Sequence, residues 1–387
     1  MKRSIAELLA HGQALIAADL PEAVGTLLHP YLQGGTGPIP LWKLLALAYR
    51  RQGRFEAVRK IQEMIVETLP GDLPARYDLA DTLLTLGDFA RGWEAYRYRY
   101  HLPHTTALAR HIQAAPRWDG RPISGQTLLI HDEQGYGDTF QFIRLLRAAQ
   151  KHSEAKILVE VNHESLSLVR RAYPEFPVQP RGTLPPHFDA HCELMSLPHA
   201  LGLQLLDLPL EMPYLQADPR RIAHWQERLQ DLPRPWVALT WAGRPTHPND
   251  GNRSMRLEQF ASLATVAASF LAIQKGPAAY QPAPTGMNLT RLSDEIRDFE
   301  DTAAILQIAD LLISVDSSPV HLAGALGRPA WVLLPFEPEW RWMTEREDTP
   351  WYPSHRLFRQ TRRGDWQGVL ERVAVDWAAS ACSPASW

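Results

Sequence analysis

Apolar residues follow two patterns along this chain. Over the first hundred residues they recur with an offset of 34: Gly53-Arg54-Phe55 is matched by Gly87-Asp88-Phe89, Leu45-Ala46 by Leu79-Ala80, and Tyr49 by Leu83. Beyond residue 126 short apolar runs alternate with helical stretches. TLLIHDEQ leads into GYGDTFQFIRLLRAAQ, KILVEVNHESLSLVRRAYPEF repeats that order, and residues 188–197 make a further short element. A second series opens at WVALTWAG after the proline-marked joint DLPRPW, and residues 311–334, LLISVDSSPVHLAGALGRPAWVLL, read as strand, turn, helix, strand. Near the end Trp366, Val369, Leu370, Val373 and Trp377 fall at helical spacing.

The 34-residue offset is the period of the tetratricopeptide repeat, a helix pair. Ala46 and Ala80 let the helices of each pair approach, Gly53 and Gly87 make the turns, and Phe55 and Phe89 pack back onto the first helix. A weaker unit precedes them, with Asp19 and Val24 at the places of Gly53 and Val58. Such a stack offers a concave surface to an extended polypeptide or serves as a helical buttress. No residue in it suggests a haem, metal or nucleotide site.

Strand-helix alternation on both sides of DLPRPW predicts two doubly wound, Rossmann-like halves. APRWDGRPISG, at 114–124, marks the junction with the helical part. The expected domains are residues 1–112, 113–232 and 233–361, followed by a C-terminal helix over 362–387.

Composition narrows the classes of function. A formal net charge of −3 over 387 residues gives no global basic field for nucleic acid. Two cysteines, Cys192 and Cys382, are too few for a disulfide framework or a zinc cluster and suit a reducing cytoplasm. No apolar stretch has transmembrane length, and Glu7 and His11 interrupt the start where a signal peptide needs an apolar core. The expectation is a cytoplasmic protein without a membrane span. Four of the 13 tryptophans, Trp331, Trp340, Trp342 and Trp351, cluster in a way that fits a core or a sugar-contacting cleft equally.

Candidate chemistry concentrates in the turns that follow strands. At 316–321 Ser317 and Ser318 supply capping hydroxyls, Pro319 suits the first helical position, and a helix N-terminus there would aim backbone amides at an anion. Asp316, Ser317, Ser318 and His321 would then border a phosphate-bearing ligand; alternatively Asp316 only ends a strand and His321 is an interior histidine. In GYGD, Gly135 and Gly137 permit close backbone approach or positive φ, and Asp138 stands at a helix start with Gln141 three residues on. A cap and a general base are both compatible with that spacing.

The turn at 316–321, followed by LLPFEPEWRWMTEREDTPWYPSHRLFRQ, resembles the C-terminal half of GT-B glycosyltransferases of the heptosyltransferase-like (family 9-like) superfamily, especially the subgroup with N-terminal tetratricopeptide repeats. Residues 241–253, 271–276 and 313–360 carry the likeness best. It implies an α/β GT-B fold of two facing Rossmann-like domains preceded by an all-α repeat domain. It also implies transfer of a sugar from a nucleotide-sugar to an acceptor hydroxyl.

Gly137-Asp138 matches the family's glycine-aspartate pair, which makes Asp138 the catalytic candidate, with Gly135 and Gly137 in the acceptor-side loop. His131, Asp132 and Glu133 are the fallback bases. Trp241, Gly243, Arg253, Lys275, Gly276, Asp316, Ser317, Ser318 and His321 are the expected donor contacts, Lys275 and Arg253 facing the diphosphate. Arg244 flanks the same loop as Arg253. The resemblance implies no metal and no cofactor besides the donor, and the chain has no Asp-x-Asp suited to a diphosphate-bound ion. Asp298, Glu300 and Asp301 come nearest and read as an acidic helix start whose front edge, 297–302, could line the nucleotide pocket. In GT-B folds the last helix often crosses back onto the first domain. The expected partners are the nucleotide-sugar and a protein or glycan acceptor. A non-catalytic scaffold that binds a nucleotide or a partner is the rival from another class.

Overall fold

In a computed structural model of the chain, residues 3–102, 109–182, 185–208 and 211–381 are described; Cys382 and the rest of the tail lie outside them. The chain divides into two compact units, Met1–Ala107 with Glu337–Glu345, and Leu108–Phe336 with Arg346–Trp387. Among the described residues no helix is long and apolar enough to cross a membrane.

The first unit holds helices α1 (Ile5–Ala17), α2 (Pro21–Leu28), α3 (Ile39–Arg51), α4 (Phe55–Thr68), α5 (Leu73–Thr85) and α6 (Phe89–Tyr96). Ser4 and Glu7 form a capping box at the start of α1, and Asp72 and Asp88 cap α5 and α6 with their carboxylates. Consecutive helices pair through tight turns in which Asp19, Gly53 and Gly87 take φ of 57°, 71° and 83°. This left-handed geometry explains glycine at the last two positions, and aspartate is among the few residues that tolerate it. Val24, Ala46, Val58, Phe55, Ala80 and Phe89 are buried between the helices.

Glu337–Glu345, which the sequence reading places within 233–361, packs instead with these helices. Trp340 stands edge-on to Trp93 at 5.2 Å, and Arg50 bridges Asp81 at 2.5 Å and Glu337 at 2.7 Å. Trp340 and Trp342 are therefore core residues of the helical unit. Trp331 and Trp351 are also buried, so none of the four lines a sugar cleft.

The second unit contains α7 (Ala109–Ala114) and two parallel sheets. β1 (Thr127–His131), β2 (Lys156–Val161), β3 (Val178–Pro180) and β4 (Ala190–Glu193) form one sheet in the order β3-β2-β1-β4. Its helices are α8 (Tyr136–Phe142), α9 (Leu146–Ser153), α10 (Leu166–Ala172) and α11 (Leu197–Ala200). Helix α12 (Pro219–Leu229) precedes the second sheet, built from β5 (Trp236–Thr240), β6 (Ser269–Ala272), β7 (Leu289–Arg291), β8 (Leu311–Val315), β9 (Ala330–Leu334) and β10 (His355–Arg359). α13 (Asp250–Arg253), α14 (Phe299–Ile308) and α15 (Ser318–Ala325) connect its strands, and α16 (Trp366–Ala381) follows them.

The six strands run in the order β10-β9-β8-β5-β6-β7. The order reverses between β5 and β8, and in open parallel sheets a ligand crevice lies outside the carboxyl ends of the strands at such a reversal. β5, β8 and β9 of the six-stranded sheet are buried along their whole length, which is why they read as near-continuous apolar runs rather than alternating ones. On helix α16, Trp366, Val369, Leu370, Val373 and Trp377 pack into the core of the six-stranded sheet beside Leu239, Trp331 and Phe358.

The two halves of this unit are clamped beside the crevice. Arg171 on α10 makes a bidentate pair with Glu300 on α14, both bonds 2.8 Å. The guanidinium of Arg144 donates twice to the carbonyl of Trp351, at 3.1 and 3.0 Å, and lies over the ring of Tyr214.

Candidate functional site

The site begins where β5, β6 and β8 end side by side. Thr240 Oγ1 and Ser314 Oγ share a 2.5 Å hydrogen bond across β5 and β8. Beyond β5 the N–H groups of Trp241 and Ala242 both donate to Gln274 Oε1 at 2.9 Å, and Gln274 Nε2 donates back to the carbonyl of Ala242. Two strand ends are thus held open by side-chain bonds in place of a continued ladder. The indole of Trp241 is fully buried with its Nε1–H on Gln281 Oε1 at 3.1 Å, so its side chain supports the strand end from the core.

Gly243 sits where no side chain fits. A β-carbon there would lie 2.6 Å from Arg253 Nη2 and 2.7 Å from Asp250 Oδ1. Gly276 has φ 79° and ψ −167°, a backbone state that needs glycine. Gly243, Asp250, Ser254, Lys275, Ala278 and Gln281 border a cleft of about 280 Å³. Lys275 is exposed at its wall, and its ammonium donates to the carbonyls of Ser293 at 2.6 Å and Ile296 at 2.9 Å. Two of its three donors are used, which fixes the charge in place and leaves the third for a ligand.

Arg253 lies mostly buried at the end of α13, with Nε 3.6 Å from Asp250 Oδ1, too far for a hydrogen bond. That Nε has no hydrogen-bond partner. His247, in the loop between Arg244 and Arg253, was not singled out from sequence. Burial and the Arg253 cation push its pKa down, against the opposing charges of Asp316 and Asp250. The loop therefore gathers His247, Arg253 and Asp316 into one electrostatic neighbourhood.

At the end of β8, Ser317 is the N-cap of α15 but makes no capping bond; its hydroxyl turns 3.1 Å to Ser314 Oγ. Ser318 is the first helical residue and Pro319 the second, one place later than the sequence suggests. The positive end of α15 thus has no side-chain oxygen covering it. Asp316 and His321 are nearly buried, His321 Nε2 lies 4.0 Å from Asp316 Oδ1, and His321 Nδ1 is 3.0 Å from the hydroxyl of Tyr352.

Helix α8 brings the other wall. Its N-cap is Gly135 with φ −78°, and Asp138 is the third helical residue, its Oδ2 accepting the Gly135 N–H at 2.8 Å. This corrects the expectation of Asp138 as the cap paired with Gln141: the carboxylate reaches back over the first turn. Gly137 needs to be glycine for close approach rather than for positive φ, since an added β-carbon would meet His321 Cδ2 at 2.7 Å. Tyr136 and Phe140 stand edge-on to Phe299, each at 4.9 Å. The first turns of α8 and α15 therefore face each other, with Asp138 half-exposed beside them.

The fallback bases are enclosed. His131, Asp132 and Glu133 are buried. Asp132 Oδ2 accepts from the backbone and side-chain nitrogens of Asn162 at 2.6 and 2.7 Å, and Oδ1 pairs with Arg181. Burial raises its pKa although Arg181 opposes the shift. The acidic start of α14 is structural too: Asp298 caps the helix, Asp301 accepts from Arg221 and Trp225 Nε1, and Glu300 holds Arg171.

No family model matches the chain. It is 28% identical over 346 residues to Protein FlbA of Caulobacter vibrioides, an alignment covering 80% of this chain and 56% of that one. The chain thus spans about half the length of the curated relative it matches. Among solved structures it is similar to the ADP-heptose lipopolysaccharide heptosyltransferase II of E. coli, with 15% identity and a TM-score of 0.46, over 66% of this chain and 99% of that one. It is also similar to the family 9 glycosyl transferase of Veillonella parvula, at 12% identity and TM-score 0.43, over 67% and 97%. A third similar structure is the iron-containing dodecameric glycosyltransferase TibC of enterotoxigenic E. coli, at 13% and 0.44, over 67% and 78%.

The site's chemistry follows from its parts. A tethered ammonium lies on a glycine-bearing cleft, the partly paired Arg253 guanidinium lies against Gly243 of its wall, and the N-termini of α8 and α15 face each other at the end of β8. Groups of this kind are suited to an anion. The half-exposed carboxylate of Asp138 beside them can take a proton from a bound hydroxyl.

Proposed function

We propose that this protein is a GT-B glycosyltransferase that moves a sugar from a nucleotide-sugar to an acceptor hydroxyl. The uncapped N-terminus of α15, facing the first turn of α8 across the Gly137–His321 contact, carries this reading. In it the donor diphosphate lies along the end of β8 and the first turn of α15, where Ser317, Ser318 and their backbone amides meet its oxygens. Lys275 and Arg253 supply positive charge as the nucleotide leaves, which lowers the barrier because the charge develops against donors already in place. That set can balance the diphosphate without a metal ion. Asp138 accepts the acceptor's proton as the new bond to the anomeric carbon forms, and His321, held by Tyr352, orients the groups between the two helices.

The helical unit reads as a tetratricopeptide stack, supported by the left-handed turns at residues 19, 53 and 87, and its role in this proposal is to dock a polypeptide that bears the acceptor hydroxyl. Screening a panel of nucleotide-sugars by calorimetry tests the donor half. Offering the bound donor to polypeptide and to glycan acceptors, with release of nucleotide as the readout, tests the acceptor half. No binding of any nucleotide or nucleotide-sugar overturns the first, and transfer to glycans alone overturns the second.

A further inference from the structure

A cluster of histidines and carboxylates lies beneath the four-stranded sheet's carboxyl edge, away from the groups assigned above. The register pairs His131 on β1 with Glu193 on β4 and with Glu160 on β2, and Leu129 with His191. Side chains alternate along a strand, so residues 191 and 193 share one face of β4 with His131 beside them. His131, His191 and Glu193 are all completely buried, and each offers one ligand atom within 4.8 Å of the others.

We propose that His131, His191 and Glu193 form a buried site for one divalent transition-metal ion of the zinc class, clasping the ends of β1 and β4. His131 Nε2 and His191 Nδ1 are 3.1 Å apart, and His191 Nδ1 is 4.0 Å from a Glu193 carboxylate oxygen. Ligands about 2.0–2.1 Å from a tetrahedral ion stand roughly 3.3 Å from one another. Two of the three atoms are already near that spacing, and all three lie within 4.8 Å of one another before an ion draws them together.

The surroundings hold these groups as metal ligands are held. His131 Nδ1 faces the backbone carbonyl of Asp132, at 3.4 Å, which leaves Nε2 as the electron-pair donor. Arg117 and Ser196 fix the Glu193 carboxylate; on binding, one Arg117 bond is exchanged for the ion. His111 stacks on His131 at 4.0 Å and bonds Glu160 at 3.1 Å, closing the cluster on its other side. Two buried carboxylates, Glu160 and Glu193, share this pocket with Arg117, so an added cation meets negative charge.

His191 Nε2 is buried without a hydrogen-bond partner. If that nitrogen carries the proton, the lone pairs of His131 Nε2 and His191 Nδ1 point at one another, an arrangement a metal ion resolves. The alternative is a metal-free hydrogen bond between the two rings. An ion here serves the fold, because no face of the cluster is open to substrate, and it must enter as the sheet forms.

The test is to unfold the full chain in chelator and refold it with Zn(II), with Co(II), or with chelator alone. The expected result is one equivalent of metal retained after gel filtration, visible absorption from tetrahedral Co(II), and a higher Tm than the metal-free protein. His191→Gln and Glu193→Gln should each lose the bound equivalent, while His187→Gln, at an exposed position, keeps it. Wild-type protein that refolds to the same Tm without bound metal overturns the proposal, and so does an equivalent that persists in both ligand variants. Should the variants fail to fold, the wild-type comparison alone decides.

Discussion

Gly137 lies against the imidazole of His321, so closely that a β-carbon on the glycine would stand 2.7 Å from Cδ2. This contact sets how near the first turns of α8 and α15 can come. Gly137→Ala should push the two helices apart at a cost of about 1–3 kcal/mol, the usual range for overpacking. Its Tm should recover in the Gly137→Ala, His321→Ala double variant, where the ring is gone. Equal Tm for the single variant and wild type would show that the interface is loose.

Asp138 accepts the Gly135 N–H, and an asparagine carbonyl at the same place can accept it too. Asp138→Asn should therefore keep most of the stability, losing about 0.3–1 kcal/mol of charge interaction with the helix end. If the carboxylate is the base, kcat should fall by roughly 10² to 10⁴ with donor affinity retained. An undiminished kcat moves the role elsewhere.

For Lys275 the measurement is donor affinity. Lys275→Met keeps the length of the stem and removes a charge-assisted contact of about 1.5–3 kcal/mol, which corresponds to roughly tenfold or more in Kd. Calorimetry that gives the same Kd for both proteins would remove the lysine from the diphosphate site.

His355 is buried, and its Nε2–H donates to the carbonyl of Val320 on α15 at 3.0 Å. Burial pushes its pKa down to about 4. The unfolded chain, with an ordinary value near 6.5, binds the proton more readily. Stability is therefore full above pH 6.5 and declines as the pH falls toward 4, by about 3 kcal/mol at the limit of this one group. His355→Gln can still donate to Val320 but does not titrate, so its unfolding free energy should vary less across that window in urea titrations.

Trp340 packs its edge on Trp93 within the helical unit. Trp340→Ala should destabilise that unit by about 3–5 kcal/mol, the range for removing a large buried aromatic ring. Limited proteolysis should then cut within 337–345, where the wild-type chain resists.

Much of this architecture is legible in local chemistry. Gly53 and Gly87 announced left-handed turns, and the residues from Asp316 to Gly327 announced a strand end, a helix start and a helix stop, because each depends on neighbours within a few positions. Asp138 stands three residues further into its helix than the spacing to Gln141 suggests, because the N-cap is a glycine and the carboxylate of the third helical residue reaches back to the cap N–H. Trp241 is a donor contact only by the family resemblance of residues 241–253, and burial of its indole in the core is a tertiary outcome that no local pattern carries. His131, His191 and Glu193 had no common signal: the sheet brings together residues some 60 positions apart, and register is not written in any short window. The same limit hid the return of Glu337–Glu345 to the helices.

That return governs the order in which the polypeptide can mature. The aromatic core around Trp93 is completed by residues synthesised some 240 positions later, after the first parallel sheet and all but the last strand of the second have been translated. An N-terminal fragment ending near residue 107 would emerge from the ribosome with part of its interior still unmade. A fragment beginning there would carry Trp340 and Trp342 with nothing of their own to bury them. Neither piece can be complete alone, so swapping or trimming the helices must carry the nine-residue segment with them.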